Sequence, residues 1–172
     1  MTEDSREDIL VYVLALLTNL SGVVSVWRNR RNLPEKDEDG NSLRPAIIML
    51  DGDQRVVQSS AQIMATKAVR MMGVHVCINP EIFIVLDMPD TPENNTLHGN
   101  AYDPGAELSD WCSKITGVIE NDDGLIDLLT PNGQIAYLGF DTDMKTASTI
   151  GSIGPMGRVR YDFYYPRLPP RS

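Results

Sequence analysis

Apolar residues at three- and four-residue spacing near the start of the chain predict an amphipathic helix. The helix is predicted from Asp4 to Leu20, and Ser21 and Gly22 end it, because glycine readily adopts the left-handed conformation of a helix C-terminus. Its apolar stripe consists of Ile9, Leu10, Val13, Leu14, Leu16, Leu17 and Leu20. A short strand rich in β-branched residues is predicted at Val23 to Arg28.

Two later apolar segments predict strands in the core of a sheet. Residues 46–50 form a continuous apolar run, which is typical of a strand covered on both faces. Between Gly73 and Met88 the apolar residues alternate, stop at Pro80 and then resume. We therefore predict one long strand with a bulge at Asn79 and Pro80. The stretch Ser60 to Met72 is compatible with either a helix or a strand.

The second half of the chain is predicted to contribute another helix and two strands. The helix spans Gly105 to Asn121, and its buried stripe consists of Leu108, Trp111, Cys112, Ile115, Val118 and Ile119. A short helical turn is predicted at Leu125 to Leu129. Strands are predicted at Gln134 to Phe140 and at Gly157 to Tyr165, where apolar and polar residues alternate.

The order of these elements predicts an α+β fold. Helices do not alternate one for one with strands, which favours a mainly antiparallel β-sheet with two principal helices packed on one face and long loop or hairpin extensions. A chain of 172 residues fits a single domain. That domain is predicted over residues 1–165, with a Pro-rich C-terminal tail at residues 166–172.

Charge and cysteine content narrow the classes of function. The formal net charge of −9 argues against a nucleic-acid-binding surface, because phosphate contacts need clustered Lys and Arg. Cys77 and Cys112 lack zinc-ligand spacing, so both are predicted to be buried free thiols. The longest apolar run, Ile9 to Leu17, is about half of the roughly 20 residues that a membrane-spanning helix needs, and no membrane segment is expected.

Candidate catalytic or metal-binding residues are few. Asp51 and Asp53 follow the strand at residues 46–50, a position where Mg²⁺ sites occur, but Asp-Gly-Asp is also typical of a tight turn, and we favour the turn. Asp141 and Asp143 allow the same two interpretations. The two histidines, His75 and His98, have no metal-binding spacing around them. We expect no catalytic residue, no cofactor and no metal site.

Long extensions are the more informative feature. Residues 30–42, 89–104 and 142–155 are long for connections in a compact domain, and contact function usually resides on such segments. The first of them is dense in charge, and charge-rich segments set register and partner choice. The residues predicted to contact other subunits or partners are Arg28, Arg30, Arg31, Glu35, Asp37 and Glu38.

In the order of its motifs, the chain resembles the tail terminator, or tail completion, proteins of tailed bacteriophages. The features that carry the resemblance are the N-terminal amphipathic helix and four segments: residues 21–30 (SGVVSVWRNR), 44–53 (RPAIIMLDGD), 80–83 (PEIF) and 141–143 (DTD), the last followed by a closing aromatic strand. The similarity runs in order over residues 8–165. Residues 35–41 and 58–69 depart from it.

The resemblance implies a virion structural protein without enzymatic activity. Such a protein is assembled in the host cytoplasm into a ring, usually a hexamer, at the head-proximal end of the tail tube. The ring contacts the tail tube protein, ends tube polymerisation and joins the tail to the head-completion or connector protein. Genomic DNA passes through the lumen without specific binding.

Two alternatives remain open at this point. The first is another head–tail connector or neck adaptor protein, which would differ in its position in the particle. The second belongs to a different class: a small metal-dependent hydrolase that uses Asp51, Asp53 and His75.

Overall fold

The computed structural model describes residues 5–57, 74–87, 96–97, 100–101, 104–130, 133–142 and 154–167. In this part of the chain there are three helices: α1 (Ser5–Thr18), α2 (Pro104–Glu120) and α3 (Asp123–Leu128). None of the described helices combines the length and the apolar character that crossing a membrane requires. The predicted bounds of the two principal helices are confirmed to within two residues at each end.

Nine strands are described. They are β1 (Ser25–Arg28), β2 (Ala46–Leu50), β3 (Gln54–Val57), β4 (Val74–Ile78), β5 (Glu81–Val85), β6 (Thr96–Leu97), β7 (Asn100–Ala101), β8 (Gln134–Asp141) and β9 (Met156–Arg167). β6 and β7 form a two-stranded hairpin of their own, in a region that the sequence predicted as loop. The other seven strands form one sheet.

The seven strands of the main sheet lie in five rows, because β4 and β5 share one row end to end and β3 and β2 share another. β8 forms one edge and pairs with β9, which pairs with β4 and β5 end to end. β4 and β5 pair in turn with β3 and β2, and β1 lies outside β2. Every neighbouring pair is antiparallel except β1 with β2. The predicted α+β fold with a mainly antiparallel sheet is therefore confirmed.

The long strand predicted at Gly73 to Met88 is present, but the predicted bulge at Asn79 and Pro80 is wrong. Ile78 is opposite Phe163 and Glu81 is opposite Arg160, so both strands advance by three residues across the break and neither has an extra residue. Pro80 interrupts the ladder for a simpler reason. It accepts a hydrogen bond from the Tyr161 N–H (3.4 Å) but has no N–H of its own to return.

The extra residue lies in the neighbouring row, between β2 and β3. Leu50 is opposite Glu81 and Gln54 is opposite Ile78, so three residues, Asp51 to Asp53, face the two at the break. Gly52 adopts a φ of +71°, and the Asp53 N–H donates to Asn79 Oδ1 (2.7 Å). The turn expected at Asp51 to Asp53 is thus a bulge within a continuous row. The sequence did not predict strand β3 beyond it.

The helices pack on one face of the sheet, which we call the helix face. Because strand side chains alternate between faces, every second residue of each central strand points toward the helices. The fully buried residues of this core include Ile9, Val13, Leu17, Ile47, Ile82, Ile84, Ile115, Ile119, Val159, Tyr161 and Phe163. Burial of each such side chain contributes about 1.5–3 kcal/mol. This core accounts for the helical spacing in the sequence.

A smaller core lies on the opposite face, which we call the arm face. Ala46, Ile48 and Leu50 of β2 point to it, and Leu33 from the segment between β1 and β2 packs onto them. Phe83, Val85 and Met156 complete this core. All five residues of β2 are buried, which confirms the prediction of a strand covered on both faces.

Two further expectations need correction, and some lie outside the described residues. β9 continues to Arg167, so Pro166 and Arg167 belong to the sheet rather than to the predicted tail. Both cysteines are free, but Cys112 is only half-buried whereas Cys77 is buried. The stretch Ser60 to Met72 lies outside the described residues.

Substituting Gly52 by alanine should destabilise the fold more than the same change at Gly40. Both glycines have a positive φ, which costs an L-residue about 1–2 kcal/mol. Only at Gly52 would the added Cβ also overlap the carbonyl oxygen of Asn79, whereas no atom lies within 4 Å at Gly40. Urea denaturation should show Gly52→Ala at least about 1 kcal/mol less stable than Gly40→Ala. Equal losses would contradict the bulge geometry.

Candidate functional site: the charged hairpin arm

Residues 29–45, which connect β1 to β2, form a hairpin that we call the arm. Lys36 and Ser42 form an antiparallel bridge. The Leu43 N–H donates to the Glu35 carbonyl oxygen (3.0 Å), and the Asp37 N–H donates to the Asn41 carbonyl oxygen (2.9 Å). The charged segment at residues 30–42, predicted as a long loop or hairpin extension, is therefore a hairpin with its own backbone hydrogen bonds.

The tip of the arm is held by one carboxylate. Asp37 Oδ1 accepts hydrogen bonds from the backbone N–H groups of Asp39 (2.9 Å) and Asn41 (2.8 Å). Gly40 closes the turn with a φ of +82°, a conformation that glycine adopts without strain. Glu35 and Glu38 are exposed on the same tip. The tip therefore presents acidic side chains on an ordered backbone.

The base of the arm is anchored in the protein. Leu33 is buried in the arm-face core, and Arg44 is 2% exposed. The Arg44 guanidinium donates to the carbonyl oxygens of Leu86 (3.3 Å) and Leu33 (3.5 Å). Ser42 Oγ donates to the Asp87 carboxylate (3.0 Å). Buried contacts therefore hold the base of the arm, and its charged end is exposed.

Arg28, predicted as a contact residue, has an internal role. Its guanidinium makes two hydrogen bonds to Glu7 of α1 (2.6 and 2.8 Å) and two to Asp51 of the bulge (both 2.8 Å). Arg6 adds a hydrogen bond to the Gly52 carbonyl oxygen (3.2 Å). Bidentate pairs of this kind fix geometry as well as charge. Arg28 joins the first turn of α1 to the end of β2.

Arg30 and Arg31 lie at the exposed start of the arm. The guanidinium carbon of Arg30 is 4.5 Å from the centre of the Trp27 ring, and its Nε donates to the Asn32 carbonyl oxygen (2.9 Å). An Arg over a Trp face at this distance is a cation–π contact. Among the predicted contact residues, Arg30, Arg31, Glu35, Asp37 and Glu38 therefore share one exposed projection, and Arg28 lies behind it.

The residues of the metal-dependent alternative do not converge. The Asp51 carboxylate is already bound bidentately by Arg28, so both of its oxygens accept hydrogen bonds from the guanidinium. His75 is opposite Val57 in the ladder between β3 and β4. Val57 is three residues from Gln54, the first residue of β3, which is about 10 Å at 3.3 Å per residue. His75 therefore lies at the far end of β3 from Asp53. Within the described residues, no group of three or more His, Cys, Asp or Glu side chains is placed to hold a metal ion.

Asp141, the other candidate acid within the described residues, is also bound by an arginine. Asp141 pairs with Arg158 (2.9 Å), which also binds Glu81 (2.8 Å), so one arginine connects three adjacent strands on the arm face. Asp143 and His98 lie outside the described residues. A cavity of about 470 Å³ is lined by Pro104, Gly105, Leu108, Thr142, Gly154, Pro155 and Met156, none of which is charged. Among its described lining residues, the cavity has no acid or base that could act on a substrate.

Sequence reasoning missed the second polar cluster of the arm face. Arg55 pairs with Asp162 (3.2 Å), which is 6% exposed and also accepts a hydrogen bond from the Tyr164 hydroxyl (3.3 Å). The alternation of Arg158, Arg160 and Asp162 with apolar residues indicated that they share a face. The ion-pair partners of Arg158 and Asp162 lie on other strands, and that pairing depends on a register that the sequence does not display.

A scan against protein-family models finds no match for this chain, and a search of curated proteins finds no significant match either.

The Arg28 pairs should make stability depend on pH in the acidic range. The hydrogen bond from Arg28 lowers the pKa of Glu7 below its ordinary 4.5. Burial raises the pKa of Asp51, but hydrogen bonds from Arg28 and Asn29 outweigh it, so the net shift is below the ordinary 3.8. A carboxyl group whose pKa is lowered in the folded state stabilises the fold at pH values above its ordinary pKa. That stabilisation is lost as the pH falls through the folded-state values.

The free energy of unfolding of the wild type should therefore decrease as the pH falls from 5 toward about 3, and Arg28→Gln should show a shallower decrease. Arg160→Gln, which changes an exposed arginine elsewhere on the sheet, serves as the matched control and should keep the wild-type slope. Urea denaturation followed by circular dichroism at a series of pH values measures the slopes. Parallel curves for wild type and Arg28→Gln would contradict the assigned pairs.

Proposed function

We propose that this chain is a structural subunit of a tailed-bacteriophage virion that forms a ring at the head-proximal end of the tail tube. In this role it ends tube polymerisation and joins the tail to the head-completion proteins, with DNA passing through the lumen. The proposal starts from the order of motifs that resembles tail terminator proteins. The confirmed α+β fold is compatible with it.

The arm is the observation that carries the proposal. An exposed hairpin normally costs conformational entropy to order on binding, but this one is already ordered by its own hydrogen bonds and by a buried base. A preordered projection with charged side chains is suited to selecting a partner and fixing register. Such a projection suits a subunit that contacts neighbours on more than one side.

The pairing of the acidic residues supports a structural rather than an enzymatic role. Among the described residues, the acids of the sheet bind arginines: Asp51 with Arg28, and Glu81 with Arg158. A general acid or base needs a proton-transferring group directed at a substrate. These pairs instead join strands to each other and to α1.

The net charge supports passage of DNA without retention. A protein with a net charge of −9 repels the phosphate backbone on average. A lumen that releases DNA during ejection benefits from weak adhesion, because each phosphate contact with Lys or Arg strengthens binding. Acidic residues exposed at the arm tip, Glu35 and Glu38, add to this repulsion wherever the tip is near DNA.

The assembly itself is tested by microscopy and by fractionation of particles. Native mass spectrometry and negative-stain microscopy of the purified chain should reveal a closed ring. Purified virions should contain the chain at the junction of tail and head, where a labelled antibody would locate it. A chain that is absent from virions and monomeric at every concentration would overturn the proposal.

Reversing the charges of Arg30 and Arg31 should block ring formation or head–tail joining. We expect the double variant Arg30→Glu and Arg31→Glu to reduce joining at least about tenfold, because like charges brought together at an interface cost several kcal/mol. Joining is measured as infectious particles formed when purified heads and tails are mixed with the variant protein.

A matched control separates the arm from charge in general. Lys114 of α2 lies over the Trp111 ring at 4.4 Å, which reproduces the contact of Arg30 with Trp27 at 4.5 Å. Lys114→Glu therefore changes the same charge and removes the same kind of contact as Arg30→Glu, away from the arm. The two variants should melt similarly, and only Arg30→Glu should impair joining. Equal impairment of joining by the two variants would show that the arm is not the contact surface.

A further inference from the structure

The main sheet has two outer edges with unpaired backbone in the described part of the chain. β8 forms one edge, and β3 forms part of the other, beyond the end of β1. Among the described strands, β3 pairs only with β4 and β8 pairs only with β9. An open edge is a template for another strand, and proteins usually shorten it, cover it or place charges on it. β8 is eight residues long, and its only charged residue is Asp141 at its end.

The backbone donors of these edges can be assigned from the ladders. Tyr161 donates its N–H toward Pro80, on the β4–β5 side of β9. In an antiparallel pair both residues direct their N–H groups either toward or away from each other. Tyr137, which is opposite Tyr161, therefore directs its N–H away from β9. The same alternation directs the Val56 N–H away from β4.

The side chains of the same two residues are exposed. Tyr137 is 46% exposed and Val56 is 53% exposed. Both lie on the helix face, because their opposite residues, Tyr161 and Val76, belong to the helix-side core. Of the six large hydrophobic residues exposed in the described part, three are on these edge strands: Val56, Tyr137 and Leu138. Each edge thus offers an outward donor and an apolar side chain on the same face.

We propose that β8 of one copy pairs with β3 of the next copy, so that the sheet continues from subunit to subunit. This inference rests on the proposed ring and names the surface that closes it. β3 runs in the direction of β9, and β8 runs opposite to it. The joint is therefore antiparallel, like most of the sheet, and it keeps the helices of both copies on one side.

A head-to-tail joint of this kind uses both edges of every subunit. Closed rings arise from such heterologous contacts when the rotation between copies closes. A two-fold joint of β8 with β8 would leave the β3 edge of each copy open. The head-to-tail joint is favoured because it covers both edges and brings Tyr137 and Val56 to one apolar seam.

Disulfide cross-linking tests the pairing directly. Cys112 is replaced by alanine because its Sγ lies 4.0 Å from the Tyr137 hydroxyl, and the buried Cys77 is kept. One chain then carries Val56→Cys and a second, of different mass, carries Tyr137→Cys. Oxidation of the mixture should yield the mixed dimer as the main product. A Val11→Cys chain, at a position on α1 with similar exposure (50%), should not cross-link to either chain.

Lysine variants measure how much the joint contributes to assembly. Val56→Lys and Tyr137→Lys should each weaken self-association at least about tenfold in sedimentation velocity, because the joint would bury an unpaired charge. Val11→Lys and Ile126→Lys are matched controls, since both positions are exposed and lie on helices. Their self-association should remain unchanged. Thermal unfolding verifies that all four variants fold.

The outcomes separate this inference from the proposed function. Cross-links only between identical positions, or equal losses in edge and control variants, would overturn the edge joint while a ring in virions would still stand. The mixed cross-link in a chain absent from virions would support the joint and overturn the proposed function. A chain that is monomeric in solution and absent from particles would overturn both.

Discussion

The ladder between β9 and the broken strand β4–β5 is the interaction on which the rest of the structure depends. β9 pairs with this row on one side and with β8 on the other, so it connects both halves of the sheet. Its apolar face carries Val159, Tyr161 and Phe163 into the helix-side core, where the two rings stack at 5.6 Å. The register of β9 therefore determines which residues face the helices and which face the arm.

The irregular positions of the sheet lie near one another in its middle. Pro80 has no N–H to donate to Tyr161. Asp51 to Asp53 form a bulge beside the break, and β8 has an extra residue, Leu138, next to Tyr137. Each irregularity is tolerated because the ladders on both sides continue.

Local patterns in the sequence predicted the helices and the buried strands because their side chains repeat at 3.6 or 2 residues. β3 escaped prediction since three of its four residues are exposed and it contains no clear alternation. The bulge was assigned to Pro80 because proline is visible in the sequence. The extra residue itself is defined only by comparing two strands, and that comparison needs their register.

The same limit applies to the candidate site: the sequence shows local patterns but not pairs of distant residues. Charge density and length predicted a long loop or hairpin extension at residues 30–42. Arg28 was grouped with it because the sequence places it beside Arg30. Its partners Glu7 and Asp51 lie 21 and 23 residues away along the chain. A pairing over that separation follows from the packing of α1 against the sheet, which no local pattern contains.

The way Asp37 organises the arm tip has a consequence for how the protein can diverge. One carboxylate and the backbone maintain the turn, so the neighbouring side chains Glu35 and Glu38 are not needed to hold its shape. Substitutions at those two positions can accumulate without altering the hairpin. Recognition of a different neighbour can therefore evolve at the tip while the buried framework beneath it stays constant.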